Sequence, residues 1–255
     1  PSERLAPREF RRVVLPTYAF RHQKYWVDPD PVGAPTEVAG GADRVDDVSR
    51  WFWAPRWQRV DAPSGEVGKG VWLVFVDDTG VCRRVVAKLR DQKIEVVEVH
   101  LGDAYGKLGA GRYAIAPELG REGYDALLRD LAAEGKQVHG VLHGWLLTAD
   151  RGFRPGSSFF HRCEEQGFYS LFFLAQALGG EELPPGFRVV VLANGLDGPD
   201  GGSEYPEKAT VVGPCLVMPR ELAGLTCALV DVPLPKKRRG AAGEAAMQAL
   251  ATTVV

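Results

Sequence analysis

From residue 71 onward the chain alternates between short apolar runs and stretches of helical period, and this constrains its fold more than any other feature. VWLVFV (71–76), IEVVEV (94–99), VHGVLHGWLL (138–147), RVVVLAN (188–194) and TCALVDV (226–232) have the length and near-continuous apolarity of strands buried on both faces. Between them lie helical segments. Val81, Val85, Val86 and Leu89 recur at helical spacing, and Tyr124, Leu127, Leu128 and Leu131 form one apolar face of 121–135. Residues 164–180 form a strongly apolar helix closed by glycines, residues 205–219 a further helix, and residues 241–252 a last one. Strand and helix in strict alternation predict an α/β fold, a doubly wound parallel sheet with right-handed crossovers.

Such a sheet raises the question of a dinucleotide site. A pyrophosphate needs close backbone approach at the turn after the first strand, and therefore several glycines. Here that turn reads VDDTGVCRRV: Gly80 is its one glycine, and Val81, Cys82 and Arg83 occupy positions where side chains crowd a phosphate. Asp77 and Asp78 add negative charge where an anion would sit, which Arg83 and Arg84 offset only in part. Glu98 and Asp103, in and after the second strand, are the acidic residues placed to meet a ribose. On balance the sequence predicts no bound cofactor.

Reductase chemistry on this fold uses a Tyr and a Lys four residues apart, with a Ser after the preceding strand. Tyr205 and Lys208 are three apart with Pro206 between them, which places Tyr205 at a helix cap. Asn194 stands where the serine is wanted, and Ser203 is too near Tyr205 to replace it. No catalytic residue is expected. His139 and His143 share one face of a strand, as core or edge histidines rather than metal ligands. GSS (156–158) reads as a polar loop. Cys82, Cys163, Cys215 and Cys227 have no Cys-x-x-Cys spacing and read as small core hydrophobes, with neither a disulfide framework nor a metal site.

The first sixty residues differ in kind. Tyr18, Phe20, His22, Tyr25 and Trp26 crowd a proline-punctuated run without period, which suits an extended arm laid on another surface. Residues 31–47 have the Gly, Pro, Ala and Asp content of a linker. Trp51 and Trp53 alternate as in a strand with one buried face, with Trp57 following. A net charge of −2 gives no general reason for nucleic acid or an anionic membrane as partner. No apolar stretch reaches the roughly 18 residues of a membrane span. PSERLAPREFRR lacks a signal segment's apolar core, and a cytoplasmic protein is expected.

LPTYAFRHQKYW (15–26) resembles the LPTYPFQRxRYW element that ends the linker after the acyltransferase of type I polyketide synthases. RWFWAPRWQRV (50–60) resembles the strand that opens their ketoreductase region. VWLVFVDDTGV (71–81), LGDAYGKLG (101–109), GFYSLFFLAQALG (167–179), VVVLANGL (189–196) and PEKATVVGPCLVMPREL (206–222) resemble successive stretches of the ketoreductase structural subdomain. The resemblance implies a truncated Rossmann-like, short-chain dehydrogenase-like parallel sheet with an extended N-terminal linker arm. It divides the chain into the end of the post-acyltransferase linker (1–30), a flexible linker (31–49) and a non-catalytic ketoreductase subdomain (50–255). The implied partners are the ketoreductase catalytic subdomain and the acyltransferase and ketosynthase of the same synthase, with Leu15, Tyr18, Phe20, Tyr25 and Trp26 making the linker contact.

Two alternatives stay open. One is a docking module for an acyl carrier protein or a partner enzyme, which would use the basic residues of KKRRG (236–240) with Arg50, Arg56 and Arg59. The other is a degenerate NADPH-dependent short-chain reductase.

Overall fold

The computed structural model describes residues 47–51, 70–149, 158–196, 202–235 and 240–254. The chain divides into two units, Pro1–Arg56 and Trp57–Val255. In the first, the described residues form one 3-10 turn, Val48–Trp51, rather than the strand expected around Trp51. The reason is local. The Asp47 carboxylate accepts from Ser49 N (3.0 Å) and Ser49 Oγ (2.7 Å), and Arg50 N donates to Asp47 O (3.0 Å), so side-chain capping wins over alternation. Trp51 is exposed, whereas Trp53, Trp57 and the linker residues Leu15, Tyr18, Phe20, Tyr25 and Trp26 lie outside the described residues.

The second unit carries β1 (Val71–Phe75), α1 (Val81–Asp91), β2 (Glu95–Leu101), β3 (Gly106–Gly109), β4 (Arg112–Ile115), α2 (Glu122–Ala133) and β5 (Val138–Leu146). It continues through α3 (Phe159–Cys163), α4 (Ser170–Leu178), β6 (Phe187–Ala193), α5 (Val212–Glu221), β7 (Leu225–Asp231) and α6 (Gly240–Val254). Among the described residues one seven-stranded sheet runs in the order β3-β4-β2-β1-β5-β6-β7. Every neighbouring pair is parallel except β3 with β4.

The β3–β4 hairpin is the one sheet feature that the apolar runs do not announce. Its strands are four residues each, too short to show a period, β3 begins and ends in glycine, and Gly111 turns the corner at φ 64°.

β1 is the axis of the core, buried along its whole length. Leu73 and Phe75 point to the face packed by α2, α4 and α5, with Val97, Val99, Tyr124, Leu127, Val141 and Leu174. Trp72 and Val74 point to the opposite face, where Val85, Leu89 and Val86 of α1 meet Met247 and Ala251 of α6. Covering both faces is what makes these strands read as unbroken apolar runs.

The helix expected over 164–180 starts earlier and is interrupted. Ser158, expected in a plain loop, caps α3 by accepting from His161 N at 3.1 Å. Glu164–Tyr169 then form a π-helical turn before α4. Inside that turn, a Cβ on Gly167 would lie 2.8 Å from Leu146 Cδ1, so only glycine lets the wide turn lie this close to β5. The helix expected over 205–219 opens as a 3-10 turn, Pro206–Val211, with Tyr205 at its cap as the proline requires.

His139 is half-buried and His143 fully buried on the α4 side of β5. The His143 ring stacks on Phe75 (centroids 4.8 Å apart), and its Nε2 meets Ser170 Oγ at 2.8 Å, which also accepts from the Tyr124 hydroxyl at 2.8 Å. Burial holds the imidazole pKa down to about 3. The unfolded chain therefore binds the proton first, so this histidine's contribution is complete above about pH 6.5 and falls away as pH drops toward 3. Urea unfolding across that window should lose stability at up to roughly 1.4 kcal/mol per pH unit from this residue. His143→Gln should flatten the slope, and an unchanged slope in the variant would show that His143 is not the titrating group.

Candidate functional site

The turn at the carboxyl end of β1 is where a doubly wound fold brings an anion to a helix N-terminus. Gly80, left-handed at φ 91°, lets the chain turn abruptly from β1 into α1. A Cβ on Gly144 of β5 would lie 2.2 Å from Cys82 Sγ, so the strand and the start of the helix approach as closely as glycine allows. The geometry of an anion site is present, yet its centre holds the buried Asp77 carboxylate. One oxygen accepts from Cys82 N at 2.7 Å. The other accepts from Gly80 N at 2.9 Å, from Val81 N at 3.3 Å and from the Thr79 hydroxyl. The donors that would hold a pyrophosphate are thus spent on the protein's own carboxylate, which also matches the positive end of the helix dipole.

Of the two arginines beside this turn, Arg84 is engaged elsewhere. It donates to Gly80 O at 2.8 Å and pairs with Glu244 of α6. Burial and then the adjacent Asp77 push the Cys82 thiol well above its ordinary pKa, which removes it as a nucleophile. Glu98 lies within β2, as expected, and Arg90 of α1 binds its carboxylate at 2.8 Å. Asp103 is exposed in the turn between β2 and β3. Neither acid is brought to the Asp77 turn as a free ribose ligand.

Asn194, Tyr205 and Lys208, separated in sequence, do converge at the carboxyl ends of β5 and β6. Lys208 is fully buried, and its Nζ donates to Asn194 O at 3.0 Å and Asn194 Oδ1 at 2.8 Å. The Asn194 side chain in turn accepts from Thr148 N (2.8 Å) and donates to Thr148 O (3.1 Å), clasping the chain beyond β5 to the end of β6. The ammonium lies 4.4 Å from the centroid of the Tyr205 ring, over its face. Ser203, exposed, donates to Gly195 O at 3.2 Å. Burial lowers the Lys208 pKa to about 8, although Cys163, Asp231, Glu204 and Glu207 act in the opposite sense. These residues form a clasp in which the Lys208 ammonium meets both oxygens of Asn194, and the Asn194 side chain meets the Thr148 backbone.

Two structural features carry no motif. One is the Asp77 cap, since the sequence marks that aspartate as a charge and not as a ligand of four donors. The other is an exposed apolar surface on α4 and α5. Tyr169 and Phe172 are both more than 40% exposed, and Leu216 is 60% exposed, beside exposed Val212 and Val217. Phe168 stacks parallel to Phe172 (6.3 Å), Tyr169 parallel to Phe173 (6.0 Å), and Gly213 of α5 faces the Phe168 ring. The signal was available: apolar residues on all sides of 164–180 exceed what one core-facing stripe can bury.

The basic run at 236–239, Arg56 and Arg59 lie outside the described residues, and Arg50 is exposed. Among the described residues no group of three or more His, Cys, Asp or Glu is placed to hold a metal, and no helix is long and apolar enough to cross a membrane.

Residues 70–192 match the family model described as "Beta-ketoacyl synthase-like, N-terminal". Over 277 aligned residues the chain is 26% identical to "Polyketide synthase GfsA" of Streptomyces halstedii, covering 87% of this chain and 3% of that protein. Two solved structures share its fold at 18% identity. The "adenylation, ketoreductase, and pseudo Asub multidomain structure of a keto acid-selecting NRPS module" has a TM-score of 0.62, covering 77% of this chain and 16% of that one. An "N-terminal ketoreductase from macrolactin assembly line" has a TM-score of 0.53, covering 72% of this chain and 37% of that one. A short-chain dehydrogenase/reductase variant of Serratia marcescens aligns at a TM-score of 0.50 and 16% identity over 72% of this chain and 87% of its own. The fold is Rossmann-like, of the short-chain dehydrogenase type.

Asp77→Ala should leave the α1 N-terminal donors without their partner and cost about 2–3 kcal/mol of stability in urea unfolding. A loss below 0.5 kcal/mol, the scatter of ordinary surface changes, would mean that the carboxylate does not hold the turn. Lys208 carries a second expectation. Its folded pKa lies below the unfolded one, so stability should rise between about pH 8 and 10.5, and Lys208→Met should remove that rise.

Proposed function

We propose that this chain, a ketoreductase-like region of a type I polyketide synthase, is the non-catalytic half of a ketoreductase, kept for its shape. The Asp77 carboxylate across the α1 N-terminus carries this reading. Dinucleotide binding would require expelling a buried, hydrogen-bonded carboxylate and replacing it with another anion, with no net gain in donors. The clasp of Lys208, Asn194 and Thr148 supports the same conclusion, because it uses internally the groups a reductase would offer to a carbonyl.

The role that remains is to brace. The α4–α5 surface offers Tyr169, Phe172, Leu216 and Val217 to a partner, and each large apolar side chain buried there contributes on the order of 1.5–3 kcal/mol. The partner we assign to it is the catalytic ketoreductase subdomain of the same synthase. The division into residues 1–30, 31–49 and 50–255 is part of this proposal. Within it, residues 1–30 end the linker that follows the acyltransferase, with Leu15, Tyr18, Phe20, Tyr25 and Trp26 laid against the acyltransferase and ketosynthase.

Phe172→Asp with Leu216→Asp should weaken association with the catalytic half tenfold or more, equivalent to about 1.4 kcal/mol or more, in a pull-down titration of the two separately expressed parts. The fold itself should change little, since both positions are exposed. Unchanged association in a variant that folds normally would mean that another face makes the contact.

A further inference from the structure

The two edges of this sheet are built differently. At one edge, β3 has four residues, carries Lys107 and slips register against β4 between Lys107 and Gly109. Short length, a lysine and an irregular ladder are devices that keep an edge from pairing. At the other, β7 has seven residues, LTCALVD, with no lysine and no proline. It stays in register with β6 from Phe187↔Leu225 to Ala193↔Asp231. Val232 N donates to Ala193 O at 2.7 Å, so alternation turns the backbone groups of Thr226, Ala228 and Val230 toward β6 and those of Cys227 and Leu229 outward. The side chains alternate as well. Leu225, Cys227 and Leu229 pack on the core that α5 covers, whereas Thr226, Ala228 and Val230 are exposed. Among the described residues no strand lies beyond β7.

We propose that the outer edge of β7 is an interface between two copies of this chain, which pair their β7 strands antiparallel about a two-fold axis at Ala228. Each sheet has one edge open to pairing, so a β7–β7 contact closes on itself. A β7–β3 contact, which would propagate into a fibre, is blocked by the short and irregular β3 edge. The register follows from the backbone. Cys227 and Leu229, whose N–H and C=O groups point outward, form the hydrogen-bonded pairs with Leu229 and Cys227 of the second copy. Thr226 then stands opposite Val230, and Ala228 opposite Ala228, in the closely spaced pairs where side chains touch. All three are small or β-branched, which suits a pleated surface. The strand's one charged residue, Asp231, falls opposite Leu225, so no like charges meet. The strand is thus its own complement, and the contact does not involve the α4–α5 surface.

The test is sedimentation velocity on the native full chain from about 5 to 500 μM, the range of weak specific association. The wild-type chain should pass from monomer to dimer across it. Ala228→Lys opposes two lysines at the axis and Ala228→Glu two glutamates, so each variant alone should associate roughly tenfold more weakly or worse. Both should fold, since Ala228 is exposed. Mixed in equal amounts they should pair again, because lysine then meets glutamate across the axis. Phe172→Asp with Leu216→Asp should leave the dimer intact, which separates this interface from the one assigned to the catalytic half. A wild-type chain that stays monomeric throughout, a dimer that survives both Ala228 variants, one lost in the α4–α5 variant, or a mixture no more dimeric than its parts would each overturn the proposal.

Discussion

The Asp77 carboxylate sets the character of this molecule because it turns the most reactive corner of a doubly wound fold into a closed one. A Rossmann-like sheet ends its first strand at a helix whose N–H groups point at empty space, and that space normally invites an anion. Here one side chain, five residues or fewer from every donor it meets, takes Gly80 N, Val81 N, Cys82 N and the Thr79 hydroxyl together. Once that carboxylate is in place, the turn no longer needs several glycines. Val81 and Cys82 can then be buried core residues, tying α1 to Gly144 of β5.

A second closure follows at the carboxyl ends of β5 and β6. Lys208, Asn194 and Thr148 join the two strand ends through four hydrogen bonds, and Tyr205 lays its ring beside the ammonium. The burial of a lysine is costly, and here two amide oxygens of one asparagine and a ring face offset it. Both places where this fold usually meets ligands are therefore satisfied from within. What is left facing outward is the apolar face of α4 and α5. Contiguous exposed apolar surface is the kind that marks interaction sites.

Much of this was legible in the sequence, for a physical reason. β1, β2, β5 and β6 are largely buried on both faces, so their apolarity shows, whereas β7, expected to be buried on both faces, is the edge strand with Thr226, Ala228 and Val230 exposed. α1 and α2 bury one stripe, so their period shows too. The β3–β4 hairpin stayed hidden because strands of four residues carry no periodic signal. The π-helical turn at Glu164–Tyr169 stayed hidden because it depends on the close approach of Gly167 to Leu146, a tertiary contact. Trp51 misled because alternation over three residues is weaker than the capping of a turn by Asp47. At the candidate site, the sequence showed which groups were missing, Gly at 81–83 and Ser at 194. It did not show that Asp77 and Asn194 actively fill the places concerned, since ligation by a buried side chain is set by the folded backbone around it.

The central claim, that the nucleotide site of this fold is closed by its own carboxylate, is tested most directly by titrating the purified chain with NADPH in a calorimeter. No saturable heat up to about millimolar cofactor, the weak limit of specific recognition, is the expected result. Binding in the micromolar range would contradict the account, since it would mean that Asp77 yields its four donors and that Tyr205, Lys208 and Asn194 stand beside a working site.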